Sequence, residues 1–191
     1  MEIVEAKRED AKELAHLINL AGEGIPEHLW SEMASDGQTA LDVGTQRAAR
    51  DEGGFSYKNA KVIYKDDQVA GMIISYQLDE PYVVGDINEY PEVVRPLIKL
   101  EAMAPGSWYI NALATQQSCR GMGIASTLLE EAEQHALSNQ VNTMSIIVAS
   151  ENPTAKKLYL NKGYQLKAAL PVVRYPNCIH GGDWELLVKT L

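Results

Sequence analysis

The chain has 191 residues, enough for one domain that buries a sizeable core without disulfide or metal staples. Its formal net charge of −9 argues against nucleic acid as a partner, since that binding depends on Lys and Arg neutralising phosphates, and it is compatible with a cationic partner such as an amine. No apolar run reaches the length of a membrane span, the N-terminus carries no signal-peptide pattern, and two cysteines give neither a disulfide framework nor a paired metal spacing; the default expectation is a reducing, cytoplasmic protein without a membrane or metal partner.

The first third of the chain predicts one short strand and three helices. Glu2–Glu5 has the composition of a strand. Apolar residues recur at helical spacing from about Glu9 to Ala21, and Pro26 can begin a second helix that extends to Met33. A third helical stretch runs from about Thr39 to Arg50.

A hairpin and a long insertion follow. Ala60–Lys65 and Val69–Leu78 read as strands joined by the turn Asp66-Asp67-Gln68. The next segment, Asp79–Gly106, is longer than a simple connection and contains helical pieces around Pro91–Met103. We expect it either to cover or line a substrate pocket or to pack on the sheet.

A glycine-spaced turn then connects a central strand to a helix. The strand is predicted over Ser107–Thr115, and the helix begins after Gly123 and runs to about Asn139. Glycines let a ligand approach the backbone, and the first N–H groups of a helix, with the positive end of its dipole, form a site for phosphate oxygens. The turn has no Lys-Ser/Thr pair after its second glycine, as a phosphate-binding Walker loop requires, and Ser126 stands where a dinucleotide fingerprint needs its third glycine.

A second motif lies between the last three predicted strands. The strands are predicted over Asn142–Ala149, Tyr164–Leu170 and Trp184–Lys189. In the segment Glu151–Tyr164, an Asn-Pro pair suits the start of a helix and Gly163 suits the left-handed residue after its end. Taken alone, this pattern is also that of any well-capped amphipathic helix.

Together the two motifs resemble those of the GCN5-related N-acetyltransferase (GNAT) superfamily. Arg120-x-x-Gly123-x-Ala125 is similar to the family's Q/R-x-x-G-x-G/A turn, and Asn152 with the Leu-Tyr pair ending at Tyr159 is similar to its later helix. Upstream, Gln117 and Cys119 stand where family members often have a proline and an aromatic residue. The resemblance covers nearly the whole chain; the N-terminal helices and the insertion depart most.

The resemblance implies an α/β (α+β) fold, with a mixed twisted sheet of about seven strands flanked by helices and a helical insertion between the third and fourth strands. We expect residues 1–191 to form a single GNAT domain. The implied reaction is direct transfer of the acetyl group of acetyl-CoA to a primary amine in a ternary complex, without a metal and without an acyl-cysteine. Relatives are often dimers, so a homodimer is possible.

The resemblance also assigns roles to residues. Tyr159 is expected to protonate the departing sulfur, and the Leu113 N–H to bind the oxyanion. Asn152 is expected to contact the cofactor, and Arg120 either to clamp phosphate or to fix the turn. Backbone groups are expected to bind pantetheine through Leu113, Ala114 and Thr115, and pyrophosphate through Gly121, Met122, Gly123, Ile124, Ala125 and Ser126.

Three questions stay open at this point. Many relatives carry a glutamate base on the central strand, where this chain has Asn111 and no carboxylate; the candidates elsewhere are Glu23, Asp36, Glu101, His180 or a water chain. The acceptor is expected to be a small molecule, with a protein amine, a bulkier acyl group and a non-catalytic acyl-CoA-binding module as alternatives. Five aromatic residues have the composition of a pocket lining but are more often core residues: Trp30, Tyr57, Tyr76, Tyr82 and Trp108.

Overall fold

The computed structural model describes residues 1–191. It contains a mixed sheet of seven strands and six α-helices. Strands are hydrogen-bonded in the order β1-β2-β3-β4-β5-β7-β6. The elements in chain order are β1 Ile3–Glu5, α1 Ala11–Ala21, α2 Ile25–Met33, α3 Ala40–Ala48, β2 Ala60–Lys65, β3 Gln68–Gln77, α4 Arg95–Glu101, β4 Trp108–Thr115, α5 Ile124–Ser138, β5 Thr143–Ala149, α6 Pro153–Asn161, β6 Gln165–Pro171 and β7 Asp183–Thr190.

The chain divides into two units that share β4. The first unit comprises Met1–Ser75 and Asn111–Ala132, and the second comprises Tyr76–Ile110 and Glu133–Leu191. The prediction of a single domain stays a prediction. None of the helices is long and apolar enough to cross a membrane.

In the first unit, β1, β2 and β3 pair as antiparallel neighbours. The three N-terminal helices pack against one another. The hairpin turn between β2 and β3 consists of Asp66 and Asp67, whose φ angles are 52° and 59°, and Gln68 already pairs with Lys65. Two left-handed residues suit the right-handed twist of a hairpin, and Asp tolerates this conformation better than most residues. The turn predicted from sequence is therefore confirmed, one residue shorter.

The helices of the first unit pack closely. Trp30 of α2 is buried and lies against α3, where the Cβ of any larger residue at Gly44 would collide with its ring. Leu14, Leu17 and Ile18 of α1 are fully buried, as their helical spacing predicts.

In the second unit, the beginning of β4 pairs in parallel with β5, and β5, β7 and β6 are antiparallel neighbours. A parallel pair needs a crossover connection, and the segment between β4 and β5 contains α5. Five of the seven residues of β5 are buried, and Ser145 within it exchanges a 2.6 Å hydrogen bond with Ser107. The nearly continuous burial of β5 is typical of a strand covered on both faces.

The insertion forms one short helix, α4, which packs against β5, β6 and β7. Pro96 in its first turn suits a helix start. The predicted packing role is therefore observed. The insertion also lines an open cleft of about 400 Å³, whose walls are Glu92, Arg95, Pro96, Lys99, Leu170, Pro171 and Val173.

Candidate active site

The turn after β4 has the backbone conformation that its glycines predict. Gly121 and Gly123 have φ angles of 77° and 81°, in the left-handed region that other L-residues rarely adopt. A Cβ atom at either position would meet no atom within 4 Å. Neither glycine is therefore required by packing against the protein; the backbone conformation requires both, and open space lies beside each.

The start of α5 is held against the sheet of the first unit. Ile124 is buried, and a Cβ at Gly71 of β3 would lie 2.5 Å from the Ile124 side chain, so glycine at that position lets the helix approach the strand. The Gln116 N–H donates to the Ala70 carbonyl at 2.8 Å, which fixes the chain where it leaves β4. These contacts orient the first turn of α5.

That first turn suits an anion. The first N–H groups of an α-helix have no acceptor within the helix and carry the positive end of its dipole. No acidic residue lies in the first turn of α5, and Arg120 is exposed beside it. Its open glycine backbone therefore suits a phosphate-bearing ligand.

One side-chain polar atom at the end of β4 has no hydrogen-bond partner. Ala114 is buried, whereas Leu113 and Thr115 are partly buried. The Thr115 Oγ1 is enclosed and has no hydrogen-bond partner, which is costly unless a ligand or water supplies one. The role expected for Leu113, Ala114 and Thr115, which is backbone pairing with pantetheine, stays a prediction.

Helix α6 begins and ends as the second motif predicts. The Asn152 side chain accepts a 3.1 Å hydrogen bond from the Ala155 N–H, Pro153 follows it, and Gly163 is left-handed with φ of 88°. Tyr159 is buried, and its ring centroid lies 6.0 Å from that of Tyr164. The side-chain carbonyl of Asn152 is thus used as a helix cap.

The base candidates differ sharply in environment. Glu23 is buried, with a left-handed φ of 55° in the turn between α1 and α2. Asp36 is exposed, and His180 lies in the loop between β6 and β7, where its carbonyl accepts from the Cys178 thiol. The positive φ of Glu23 marks local backbone strain, and such strain is common at functional sites.

Glu101 is different again, because it lies against the central strand. The Tyr82 hydroxyl donates to its Oε2 at 2.7 Å, and Tyr109 of β4 also hydrogen-bonds to it. Tyr76 of β3 packs edge-to-face on Tyr109, with ring centroids 6.0 Å apart. Burial raises the pKa of Glu101, and the hydrogen bonds from Tyr82 and Tyr109 act in the opposite direction.

The sequence profile of the acetyltransferase (GNAT) family matches residues 23–164, about three quarters of the chain. The chain belongs to this family. Its enzyme class is therefore acyltransferase. No curated relative matches it at the sequence level.

Solved GNAT structures share the whole fold at low identity. An N-acetyltransferase from Staphylococcus aureus Mu50 is 20% identical, with a TM-score of 0.64 and coverage of 99% of this chain and 100% of the other. A ribosomal-protein-alanine N-acetyltransferase from Brucella melitensis is 18% identical, with a TM-score of 0.64 and complete coverage of both. A Drosophila melanogaster polyamine N-acetyltransferase, which catalyses formation of N-acetylagmatine, is 14% identical, with a TM-score of 0.69 and complete coverage of both.

The GNAT fold and membership predicted from sequence are confirmed, while the roles assigned to individual residues stay predictions. No sequence pattern marks Tyr109, because one aromatic residue in an apolar strand is not distinctive. The sequence indicates Tyr76 and Tyr82 only as possible pocket residues. The other flagged aromatics make structural contacts in their own units: Trp30 with Gly44, Tyr57 with Arg8 and Asp51, and Trp108 with His135.

Proposed function

We propose that this protein transfers the acetyl group of acetyl-CoA directly to a primary amine of a small molecule. The observation that carries the proposal is the exposed turn at Gly121 and Gly123, whose left-handed backbone borders open space and leads into a helix start without acidic residues. Such a turn suits a phosphate-bearing ligand. Family membership supplies the reaction class.

The cofactor is proposed to lie along β4 and across the turn. Backbone groups of Leu113 to Thr115 pair with the amides of pantetheine in the way an added strand pairs with a sheet edge. The N–H groups of residues 121–126 hold the pyrophosphate, and Arg120 adds a positive charge beside them. Acetyl-CoA brings the reactive thioester, and the protein orients it.

The proposed chemistry needs two protein groups near the thioester. The Leu113 N–H donates to the oxygen that becomes negative in the transition state; one such donor contributes roughly 3–4 kcal/mol in other enzymes. Tyr159 gives its proton to the departing sulfur and recovers one from the new amide nitrogen. Tyrosine has an ordinary pKa of about 10, so it carries a proton at neutral pH.

The proposed acceptor is a small cationic amine, taken up without a metal. The net charge of −9 favours a cation, and one structural neighbour acts on polyamines. The neighbour that acts on a ribosomal protein makes a protein amine the second candidate. A homodimer and a cytoplasmic location are part of the same proposal.

Free-thiol release from acetyl-CoA, measured with polyamines, amino acids, aminoglycosides and short peptides, tests the function. We expect amine-dependent release with a small amine. Release only with peptides would transfer the proposal to a protein acceptor. Tight acetyl-CoA binding by calorimetry without release would favour an acyl-CoA-binding module, and absence of both would contradict the cofactor assignment. Propionyl-CoA and butyryl-CoA in the same assay define the acyl preference.

A further inference from the structure

The open cleft of the second unit is lined by none of the residues assigned to acetyl transfer. The insertion forms one wall with Glu92, Arg95, Pro96 and Lys99, and the end of β6 with the residues after it forms the other. The cleft volume is about 400 Å³, and small-molecule sites have volumes of roughly 300–1,000 Å³. The cleft is therefore large enough for a small ligand.

The Arg95 guanidinium in this cleft is held in one orientation by the protein. Its Nε–H donates to the Tyr90 carbonyl at 2.9 Å, and an Nη2–H donates to the Asn88 carbonyl at 3.2 Å. Glu92 Oε1 lies 3.8 Å from Nη1, too far for a hydrogen bond. The outer edge of the guanidinium thus keeps an N–H on each Nη atom, and this pair of donors suits both oxygens of a carboxylate. Because the side chain is already fixed, binding costs less conformational entropy.

The charges around the cleft favour a ligand with a single negative charge. Lys99 is exposed and forms no ion pair, and it lies on the same face of α4 as Arg95, four residues away. Glu92 is 76% exposed, so its attraction to Arg95 is weak, but its charge repels a second negative charge on a ligand. The two cations therefore suit a carboxylate better than a phosphate dianion.

The remaining residues of the cleft are apolar. Pro96 is buried, Leu170 and Val173 are partly buried, and Pro171 is exposed at the end of β6. These side chains offer no hydrogen bond to a polar ligand. An apolar ligand body that covers them removes apolar surface from water, which is favourable. The cleft thus combines an anion-binding corner with an apolar wall.

A small molecule fits this cleft better than an added peptide strand. β6 is the last strand of the sheet, so one of its edges is unpaired. Its register with β7 shifts between Leu166 and Ala168. The intervening Lys167 is exposed, and Pro171 has no N–H to donate. Bulges, lysines and prolines are features that protect an edge strand from pairing with another chain.

We propose that this cleft binds a small carboxylate that has an apolar body. Arg95 and Lys99 hold the carboxylate, and Leu170 and Val173 contact the body. Binding is non-covalent and occurs within the second unit alone. The site goes beyond the proposed acetyl transfer and does not depend on it, because no residue of the cleft takes part in that reaction.

The test is an NMR titration of the full chain, labelled with nitrogen-15, with sodium phenylacetate. Phenylacetamide lacks the charge, acetate lacks the apolar body, and phenyl phosphate carries nearly two negative charges at neutral pH. We expect phenylacetate to shift the backbone amide signals of Leu170 and Val173. It should bind at least tenfold more tightly than phenylacetamide or acetate, and more tightly than phenyl phosphate.

Substitutions at the cleft test the role of each charge. Arg95→Gln should weaken phenylacetate binding roughly 10- to 100-fold, as expected on loss of hydrogen bonds to a charged group. Lys99→Gln, at an exposed position, should weaken it about two- to fivefold. Glu92→Gln should tighten it by a similar factor, and a misfolded variant cannot produce such a gain. Lys157→Gln, at an exposed lysine of α6 in the same unit, is the matched control and should bind as wild type does.

Several outcomes would overturn the site. Equal affinities for phenylacetate and phenylacetamide, or a phenylacetate affinity unchanged in both Arg95→Gln and Glu92→Gln, would contradict the anion-binding corner. Tens of millimolar phenylacetate without a shift of the Leu170 and Val173 amides would contradict the cleft assignment. Tighter binding of an extended peptide of alternating valine and glutamate, with protection of the β6 amides from exchange, would replace the small carboxylate with an added strand. Thiol release from acetyl-CoA tests only the proposed function, so the two proposals fail separately.

Discussion

Replacing Gly123 with alanine tests whether the open turn binds the cofactor. Gly123 has φ of 81° and no neighbour within 4 Å of a Cβ, so the new methyl group meets solvent or ligand and not protein. An alanine held in the left-handed region costs roughly 1–2 kcal/mol of folding free energy. The methyl group would also stand where the pyrophosphate is proposed to approach.

The expected loss of affinity follows from the hydrogen bonds at risk. A hydrogen bond to a charged group contributes about 1.5–3 kcal/mol, and displacing the pyrophosphate from one N–H therefore weakens binding roughly 10- to 100-fold. Acetyl-CoA affinity is measured by isothermal titration calorimetry, and folding free energy by urea unfolding.

Gly37→Ala is the matched control. Gly37 lies in the same unit, has φ of 83°, and likewise has no neighbour within 4 Å of a Cβ. Both variants should lose a similar amount of stability, and only Gly123→Ala should lose acetyl-CoA affinity. Equal acetyl-CoA affinities in the two variants would refute the assignment of the turn, because the alanine at position 123 would then change only backbone strain and not cofactor binding.

Three further predictions address other parts of the molecule. Tyr159→Phe should lower kcat by about 10²-fold or more, as expected on loss of a general acid, while the acetyl-CoA dissociation constant stays within about threefold; equal losses in steady-state rate and calorimetric affinity would make Tyr159 a cofactor contact instead. Gly44→Ala should cost about 1–3 kcal/mol of unfolding free energy in urea, because its Cβ overlaps the Trp30 ring within a packed helix pair; an unchanged midpoint would mean that the pair repacks freely. Hydrogen bonds from Tyr57 and two neighbouring cations lower the pKa of Asp51 to about 2, so its contribution to stability is complete above pH of about 4 and disappears as the pH falls through about 2. In an acid titration followed by circular dichroism, Asp51→Asn should therefore lose less stability than wild type between about pH 4 and about pH 2. An equal loss of stability in the two proteins would contradict an Asp51 pKa of about 2 in the folded state.

Local sequence patterns predict the structure correctly where the conformation of a segment depends only on its own residues and their immediate neighbours. The strand Ala60–Lys65 was predicted with its observed bounds, because a hairpin turn follows it and it contains Val62, Ile63 and Tyr64, which favour strands. The cap at Asn152 and the left-handed glycines were equally predictable, since helix ends and positive φ angles depend on a few adjacent residues. The predicted third helix extended to about Arg50, whereas the observed one ends at Ala48, within the usual uncertainty of helix ends.

The helical pieces predicted around Pro91–Met103 are confirmed, because a 3₁₀ turn at Glu92–Val94 leads directly into the seven-residue helix Arg95–Glu101. Helices this short are stabilised mainly by the surface against which they pack. No spacing in the sequence relates the four candidate bases to their partners, and their environments differ greatly in the structure.

By itself, the sequence determined the order of the strands and helices, the glycine turn and the capped helix α6, and through them the family. Only the tertiary structure decided that Glu101 meets Tyr82 and Tyr109. These three residues come from a helix end, a loop and a strand, and no spacing rule relates them. Turns and caps are fixed by neighbours along the chain, whereas a carboxylate's partners and its pKa are fixed by burial and by groups brought together only when the chain has folded.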